Sequence, residues 1–437
     1  MEKGLIFTYA MTALGAVGGL LSPFFGLLVY VCFAIIRPDH MWSWSVVQGN
    51  YSRVIAVAML AGWATHGFGR WRFGRAGAVV GCMLGYWFWT MLSAVQAIDA
   101  GKAWELVEFF AKVFLPFLVG ITTLRTVGQL KQLAWVILLS QGYVAFEMNL
   151  SYLGGYNRVY HDGFGGMDNN CAAIAMVTGI GLAFFLGLAA REWWKKGLAL
   201  LAAALMGHTI LLTFSRGGIL ALALTGLMAF VLIPKTPRHY LIFAAAVVAG
   251  IALSGKEVRE RFFSAFHESD SGKREASAQS RLDLWSGAVD ATLKRPLLGA
   301  GPDNWGEIAP EYGWKKGKEA HSLWAQNAAE LGFPGVLLLL AFFVLPMARL
   351  WPLAREGAPV SDPWLRDAAR MVIASLFGFV IAAQFVTIKY LEVPFYVALI
   401  GAGVLKLAES APAVWVPSYC FPPLQWRTSG VSAPSAS

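Results

Sequence analysis

The sequence predicts an all-α polytopic membrane protein of about twelve transmembrane helices, with a large, partly helical loop between the ninth and tenth spans. Hydrophobic residues make up 57% of the 437 residues and charged residues 14%, whereas soluble domains are about 45–50% apolar and about 25% charged. Apolar runs of a length that crosses a bilayer recur along the chain. The 18 Trp and 29 Phe are typical of the aromatic belts at membrane interfaces.

Nine apolar runs precede residue 255 and three follow residue 322. In chain order they lie near 4–36, 52–68, 77–96, 106–124, 131–149, 170–189, 195–213, 217–233, 239–254, 323–348, 367–388 and 391–408. The first run is too long for one straight helix and contains Gly18, Gly19 and Pro23 near its middle. We expect one interrupted crossing there, which makes twelve spans; two crossings would make thirteen.

The short connectors between the runs predict the orientation of the chain. One set carries fourteen Lys and Arg, and the alternate set carries only five. The basic set is GRWRFGR (69–75), RTVGQLK (125–131), REWWKK (191–196), PKTPRH (234–239) and 349–370. Because cytoplasmic connectors are enriched in Lys and Arg, we expect a bacterial inner-membrane protein with the other set facing the periplasm. The net charge of +9 then reflects topology, and no nucleic-acid partner is expected.

One long polar segment interrupts the apolar chain. We call residues 255–322 the polar block; it contains eleven Lys/Arg and eleven Asp/Glu, and it falls on the periplasmic side. It separates transmembrane helices 1–9 (1–254) from helices 10–12 (323–408). Residues 409–437 are rich in Pro, Ser and Trp without periodicity, which predicts a cytoplasmic tail.

Within the polar block, residues near 279–294 predict an amphipathic helix. Apolar side chains recur there at three- and four-residue spacings, at Leu282, Trp285, Val289 and Leu293. Such a helix lies on a membrane surface or over a cavity. The polar block is therefore expected to act as a folded lid.

No metal or cofactor site is expected from the residue pattern. The four cysteines are scattered and form no CxxC or Cys/His spacing, so neither a zinc site nor a disulfide framework is indicated. Glu268 and Asp270 are a carboxylate pair, but they match a divalent-cation site only weakly.

Arg216 is the first candidate functional residue. It stands in LLTFSRGGILAL, at the outer end of two consecutive predicted spans, on a turn whose glycines allow close approach of another group. Its planar guanidinium suits bidentate binding of phosphate. The alternative is an arginine that meets lipid phosphates at the interface.

Arg281 and His321 are the candidates within the polar block. Arg281 starts the amphipathic helix, and the alternative is a solvated charge at a helix end. His321 stands at the mouth of the tenth span, where a neutral imidazole is a plausible general base near neutral pH. The alternative is a structural histidine.

Other polar residues in the apolar runs favour structural interpretations. Glu108 and Lys112 are four apart and predict a helix ion pair. His66 and His208 are expected to be hydrogen-bonded core residues. Glu330, deep in the tenth span, is expected to be a packing residue with its hydrogen bonds satisfied.

Together these motifs resemble the O-antigen ligase/polymerase superfamily of polytopic membrane glycosyltransferases. The residues that carry the resemblance are FSRGG with Arg216, SRLDLW with Arg281, the GAGPDNW turn, AHSLWAQNAAELGFPG with His321, and MDNN with Asn170. It covers about residues 165–345. The N-terminal segment IIRPDHMWSW is similar to O-glycosylation ligases associated with exosortase systems.

The resemblance implies an O-antigen ligase of lipopolysaccharide biosynthesis. The donor is then a polysaccharide on undecaprenyl diphosphate, and the acceptor is a sugar hydroxyl of lipid A-core, at a periplasmic active site within membrane lipid. The reaction is inverting and metal-independent, without a cofactor. Arg216 and Arg281 bind the diphosphate and His321 is the base. Asn170, Arg259 and Arg261 are possible secondary contacts.

Two related functions and one from another class remain open. An O-antigen polymerase uses a growing glycan as acceptor, and a protein O-oligosaccharyltransferase uses Ser or Thr. A transporter of lipid-linked sugar is expected to have mid-membrane charges and repeated halves. Here the candidates gather at one membrane face beside one large loop, which favours an enzyme.

Overall fold

A computed structural model describes residues 2–253, 276–387 and 391–409. Within these ranges the chain is all-helical, and the only β pairing is an isolated antiparallel bridge between Phe164 and Met167. The predicted all-α class is therefore confirmed. Arg259, Arg261, Glu268, Asp270 and nearly all of the predicted tail lie outside the described residues.

Seventeen α-helices are described, numbered here in chain order. They are α1 Glu2–Leu21, α2 Pro23–Ile36, α3 Pro38–Met41, α4 Tyr51–Thr65, α5 Gly77–Ala94, α6 Ala100–Thr123, α7 Val127–Leu153, α8 Arg158–His161, α9 Asn169–Ala189, α10 Trp193–Leu212, α11 Arg216–Leu232, α12 Pro237–Leu253, α13 Ala276–Lys294, α14 Trp305–Ile308, α15 Leu323–Ala354, α16 Pro363–Ala382 and α17 Val393–Glu409.

Nine helices in the described ranges are long and apolar enough to cross a membrane, and two shorter apolar helices accompany them. The shorter ones cover Arg216–Leu232 and Val393–Ala408. A multi-pass membrane protein is therefore supported, but the predicted count of twelve spans is not confirmed.

The first apolar run does not form the single interrupted crossing that we expected. It divides at Ser22, whose side chain accepts a hydrogen bond from the backbone N–H of Phe25 and caps α2. Helices α1 and α2 then pack side by side in opposite directions: a Cβ built on Gly15 meets Val29, and the Phe7 and Phe33 rings stack at 6.3 Å. Pro23, which starts a helix well but disrupts a helix interior, sets the break. The result is a helical hairpin.

Capping side chains in the sequence define where several helices begin. In each case a side-chain oxygen accepts an N–H from the first turn, which leaves fewer unpaired donors at the helix start. The capping residues are Asp99 for α6, Thr126 for α7, Asp168 for α9, Ser215 for α11, Ser322 for α15 and Asp362 for α16.

Helix α9 lies at the centre of the bundle, and 83% of its most apolar stretch is buried. It packs against α10, α11 and α16. Because α9 and α11 both begin at the end of the bundle that faces the polar block, their N-termini come close together. This arrangement brings the MDNN and FSRGG motifs into one region.

A helix is present where the amphipathic helix was predicted, as α13. Leu284, Ala288 and Ala291 are buried against α14 and α15. Leu282, Val289 and Leu293 are exposed on the opposite side of the helix, as a helix lying on a membrane surface would present them. Small side chains at 288 and 291 allow the neighbouring backbone to approach closely, so the larger aliphatic side chains face outward.

The part of the polar block around Asn304 is tied to the turn between α5 and α6. The backbone N–H of Asp99 donates to Asn304 Oδ1 at 2.6 Å, and Asn304 Nδ2 donates back to the Asp99 carbonyl at 3.1 Å. Lys102 and Glu307 form an ion pair beside them. These contacts join two segments that are about two hundred residues apart in sequence.

Candidate functional site

His321 lies in a tight turn that ends in the N-cap of α15. Ser322 Oγ accepts the N–H of Ala325 at 3.2 Å, and His321 itself has a left-handed backbone with φ of 52°. That conformation costs a non-glycine residue roughly 1–2 kcal/mol, so the surrounding contacts must hold it in place.

A small polar network provides these contacts. The N–H of His321 donates to Thr387 Oγ1 at 3.0 Å, and Thr387 Oγ1 donates to Gln326 Oε1 at 2.8 Å. Gln326 Oε1 also accepts the N–H of Ala320 at 3.2 Å. The backbone that leads into the His321 Cα is therefore anchored to α15 and to the residues after α16.

The charges around His321 favour its neutral form. Partial burial lowers the pKa of the imidazole, the positive charges of Lys318 and Arg281 lower it further, and the carboxylate of Asp168 opposes them. A pKa below the ordinary value of about 6.5 leaves the ring unprotonated at neutral pH. The same interactions show that Arg281 and Asp168 lie within electrostatic reach of His321.

Helix α13 docks directly on the His321 turn. Trp285 Nε1 donates to the carbonyl of Ala320 at 3.1 Å, and the Trp285 ring lies 6.5 Å from that of Phe385. Arg281 precedes Trp285 by about one helical turn, so this contact places the guanidinium at the same end of the bundle as His321.

The Arg216 turn also packs against Phe385. Ser215 Oγ accepts the N–H of Gly218 at 3.2 Å, which makes Arg216 the first residue of α11. A Cβ on Gly217 would lie 2.8 Å from Phe385 Cβ, and one on Gly218 would lie 2.7 Å from Ala173 Cβ. Both glycines are therefore required for close packing.

The MDNN turn is bonded to the Arg216 turn. Asp168 Oδ1 accepts the N–H of Cys171 at 2.7 Å and caps α9, while Asn169 Nδ2 donates to the carbonyl of Thr213 at 2.9 Å. Asn170 Nδ2 contacts Asp168 and Asn169. Two helix N-termini, each with backbone N–H donors and a positive dipole end, thus lie beside Arg216.

Thr387 joins the two halves of the site. Its side chain holds the His321 N–H, and its carbonyl accepts a contact from Cys171 Sγ at 3.3 Å on α9. Sequence reasoning did not identify Thr387, Gln326 or Asp168. The connector that follows Thr387 is short, and a threonine there carries no distinctive spacing.

The N-terminal region supports this site from one side. Arg37, which follows α2, donates to the carbonyl of Gly165 in the loop before α9. Arg158 Nη2 donates to the carbonyls of His40 at 2.9 Å and Met41 at 3.2 Å. Residues 37–41 therefore hold the loop that carries Asp168 and Asn170.

The residues assigned structural roles have the expected partners. Glu108 pairs with Lys112 at 2.9 Å, and also with Arg53. His208 Nδ1 lies 2.5 Å from Asn149 Oδ1, and His66 Nδ1 lies 2.7 Å from the Gly62 carbonyl. In the same way, Glu330 Oε1 accepts from Gln326 Nε2 and the Trp305 N–H. The ion pair of Glu108 with Lys112 and the satisfied packing role of Glu330 are confirmed, and His208 is half-buried. His66 has its hydrogen bond but is exposed where α4 ends, so the prediction of a core residue there is wrong.

Comparison with known families matches both halves of the chain. Residues 201–340 match the O-antigen ligase family, and residues 3–187 match a family of unknown function (DUF5935). No curated protein matches the chain. The first match contains Arg216, Arg281 and His321, and it confirms the resemblance to the superfamily of membrane glycosyltransferases to which O-antigen ligases and polymerases belong.

Proposed function

We propose that this member of the O-antigen ligase superfamily is an O-antigen ligase that transfers a polysaccharide from undecaprenyl diphosphate to a sugar hydroxyl of lipid A-core. One observation carries the proposal: four segments distant in sequence meet around Thr387 and Phe385. They contribute the Arg216 turn, the Asp168–Asn170 turn, Arg281 on α13 and the His321 turn. Arginine side chains for the diphosphate and a neutral imidazole for the proton, at the same end of the bundle, are the groups that glycosyl transfer requires.

The cationic groups suit the leaving group. When the glycan departs, the bond between its anomeric carbon and the phosphate oxygen breaks, and the electron pair stays on the lipid diphosphate. Preorganised positive groups stabilise such developing charge. Arg216 and Arg281 take this role, and the N-termini of α9 and α11 add backbone donors beside Arg216.

The imidazole of His321 suits the acceptor. It removes the proton of the attacking hydroxyl while that oxygen forms a new bond to the anomeric carbon from the face opposite the diphosphate, which inverts the configuration. The proton then passes from the imidazole to solvent. The lowered pKa keeps His321 ready to accept a proton at neutral pH.

Related acceptors use the same chemistry. A polymerase with a glycan acceptor and a protein O-oligosaccharyltransferase with a Ser or Thr acceptor both need a cationic diphosphate site and a base. The different class, a transporter of lipid-linked sugar, needs no base that accepts a proton from a hydroxyl. The local surroundings of His321 therefore favour an enzyme.

Reconstitution tests the proposal. The purified protein in lipid nanodiscs is incubated with undecaprenyl diphosphate-linked glycan and lipid A-core, with and without a chelator. We expect ligated product under both conditions, and loss of product in His321→Ala. Full activity in that variant would remove His321 as base, and loss on chelation would contradict the metal-independent mechanism.

Replacing the acceptor separates the related functions. Product with lipid A-core alone supports the ligase. Product only with a second lipid-linked glycan, or only with a Ser/Thr peptide, would replace the ligase by the polymerase or the protein transferase. Translocation of the donor without transfer would support the transporter.

A further inference from the structure

Arg37 stands between α2 and α3, in the segment IIRPDHMWSW, and is not among the groups that bind the diphosphate or accept the proton. Its N–H donates to the Phe33 carbonyl at 2.9 Å and closes α2, and its backbone is left-handed with φ of 46°. That conformation is unfavourable for a residue with a Cβ. The contacts of the Arg37 side chain must therefore hold it in place.

The side chain of Arg37 lies along the backbone of Gly165. Arg37 Nη1 donates to the Gly165 carbonyl, and a Cβ on Gly165 would lie 2.6 Å from Arg37 Cδ. Gly165 belongs to a tight turn that is closed by two backbone hydrogen bonds between Phe164 and Met167, at 2.9 and 3.0 Å. Asp168 follows Met167 directly, so the contact with Arg37 fixes the turn that places Asp168.

The second partner of Arg37 is Glu392, the residue before α17. The positive charge of Arg37 attracts the Glu392 carboxylate, which also accepts a hydrogen bond from the hydroxyl of the buried Tyr396. Glu392 follows Thr387 by five residues. Arg37 therefore lies between the turn before Asp168 and the start of α17, which the segment with Thr387 precedes.

The turn before Asp168 and the segment with Thr387 also meet beside His321. Asp168 Oδ1 accepts the N–H of Cys171 at 2.7 Å, and Cys171 Sγ contacts the Thr387 carbonyl at 3.3 Å. Thr387 Oγ1 in turn accepts the N–H of His321 at 3.0 Å. The negative charge of Asp168 acts on the imidazole and favours its protonated form. A change in the position of Asp168 is therefore expected to affect His321.

We propose that Arg37 is a positioning residue that holds the Asp168 carboxylate at a fixed distance from the imidazole of His321. That distance determines how strongly the carboxylate favours the protonated ring. The inference rests on the proposed function, because it concerns the base of that reaction. It also gives a role to the N-terminal half of the chain, since the matched family of unknown function covers both Arg37 and Asp168.

The titration of His321 tests this link without the reaction. Diethyl pyrocarbonate, which acylates neutral imidazole, is added to the full-length protein in nanodiscs without donor or acceptor, and mass spectrometry follows the modification of His321 against pH. We expect Arg37→Met to lower the midpoint by about half a pH unit, the order of one screened carboxylate charge, because Asp168 moves away. If Arg37 acted through its own positive charge, its loss would raise the midpoint.

Two further variants and a control identify the route. Asp168→Asn removes the charge but keeps a good N-cap for α9, and we expect a similar downward shift. Because Arg37 acts through Asp168, the double variant is expected to shift no further than Asp168→Asn alone. Arg53→Met is the matched control: it removes an exposed arginine of the same half of the chain, which pairs with Glu108, and it is expected to leave the midpoint unchanged.

Glycan transfer provides the second measurement. We expect Arg37→Met to lower kcat about fivefold near pH 8 and to leave the KM of donor and acceptor within about twofold, since a misplaced charge beside the base affects the chemical step. Arg37→Lys keeps the charge that attracts Glu392 and is expected to recover most of the lost kcat. Arg37→Gly removes the side chain but suits the left-handed backbone, and it carries the test if Arg37→Met does not fold.

The outcomes separate the positioning role from the proposed function. The expected shift in a protein that transfers no glycan would refute the reaction and support the link between Arg37 and His321. Glycan transfer with an unchanged or raised midpoint in Arg37→Met, or an equal shift in Arg53→Met, would overturn the positioning role and leave the function intact. A shift in the double variant equal to the sum of the two single shifts would also overturn it.

Discussion

Trp285 Nε1 donates a hydrogen bond to the carbonyl of Ala320 over 3.1 Å, one residue before His321. The contact couples α13, which carries Arg281, to the turn that carries the candidate base. Both residues belong to the polar block, and the intervening segment includes α14, which is tied to the turn between α5 and α6. Movement of α13 is therefore expected to change the position of Arg281 relative to His321.

Trp285→Phe is expected to reduce kcat/KM by about fivefold. The variant keeps the ring against Phe385 but loses one hydrogen bond, whose net contribution is about 1 kcal/mol. Steady-state glycan transfer in nanodiscs measures the effect. Trp63→Phe is the control, because it loses a comparable bond, to Thr122, far from the site. Equal effects in the two variants would show that Trp285 acts only through general stability.

The pH dependence of transfer is expected to report the titration of His321. Activity rises as the imidazole loses its proton. Burial and the charges of Lys318 and Arg281 lower its pKa, so the midpoint of the rise lies below the ordinary value of about 6.5. In Lys318→Gln one opposing charge is gone, and the pKa rises. The variant therefore loses activity near pH 6 and keeps it near pH 8.

Profiles of kcat/KM against pH measure that shift, with Lys316→Gln as control. Lys316 pairs with Glu307 at 2.7 Å and is not among the charges that act on His321. A shift of the midpoint to lower pH in Lys318→Gln, or equal shifts in both variants, would contradict the electrostatic account.

Arg216→Lys and Arg281→Lys are each expected to lower kcat by roughly 10²-fold. Lysine keeps the charge but lacks the planar fork that binds two phosphate oxygens together, and removal of one preorganised donor in other enzymes costs about this much. Arg191→Lys, in the connector before α10, is the control and is expected to retain activity. A loss of less than about threefold would contradict bidentate binding of the diphosphate.

Gly217→Ala is expected to destabilise the protein by about 1–3 kcal/mol, the usual cost of overpacking. Its new Cβ would lie 2.8 Å from Phe385 Cβ, so α11 or Phe385 must move. Gly226→Ala, on the same helix, meets no atom within 4 Å and is expected to be neutral or slightly stabilising. Thermal unfolding in detergent compares the two, and equal melting temperatures would refute the packing argument.

The sequence predicted the helical class, and the candidate residues that it singled out lie near one another in the fold, but it predicted less well how they are held. Arg216 is followed by two glycines and His321 by a capping serine, and both signals can be recognised from the sequence alone. Thr387 lies 66 residues beyond His321, and its role depends on which helices pack together. For the same reason, the periodicity of α13 indicated an amphipathic helix but did not identify the small side chains, Ala288 and Ala291, through which it packs on α14 and α15.

The hairpin of α1 and α2 also affects how the chain enters the membrane. Its turn is formed at Ser22 and carries no lysine or arginine, so the basic residues that normally retain a connector in the cytoplasm are lacking there. The orientation of both helices then depends on GRWRFGR (69–75), after α4. During biogenesis, α1, α2 and α4 are therefore expected to acquire their final orientation together, once that basic connector has been synthesised.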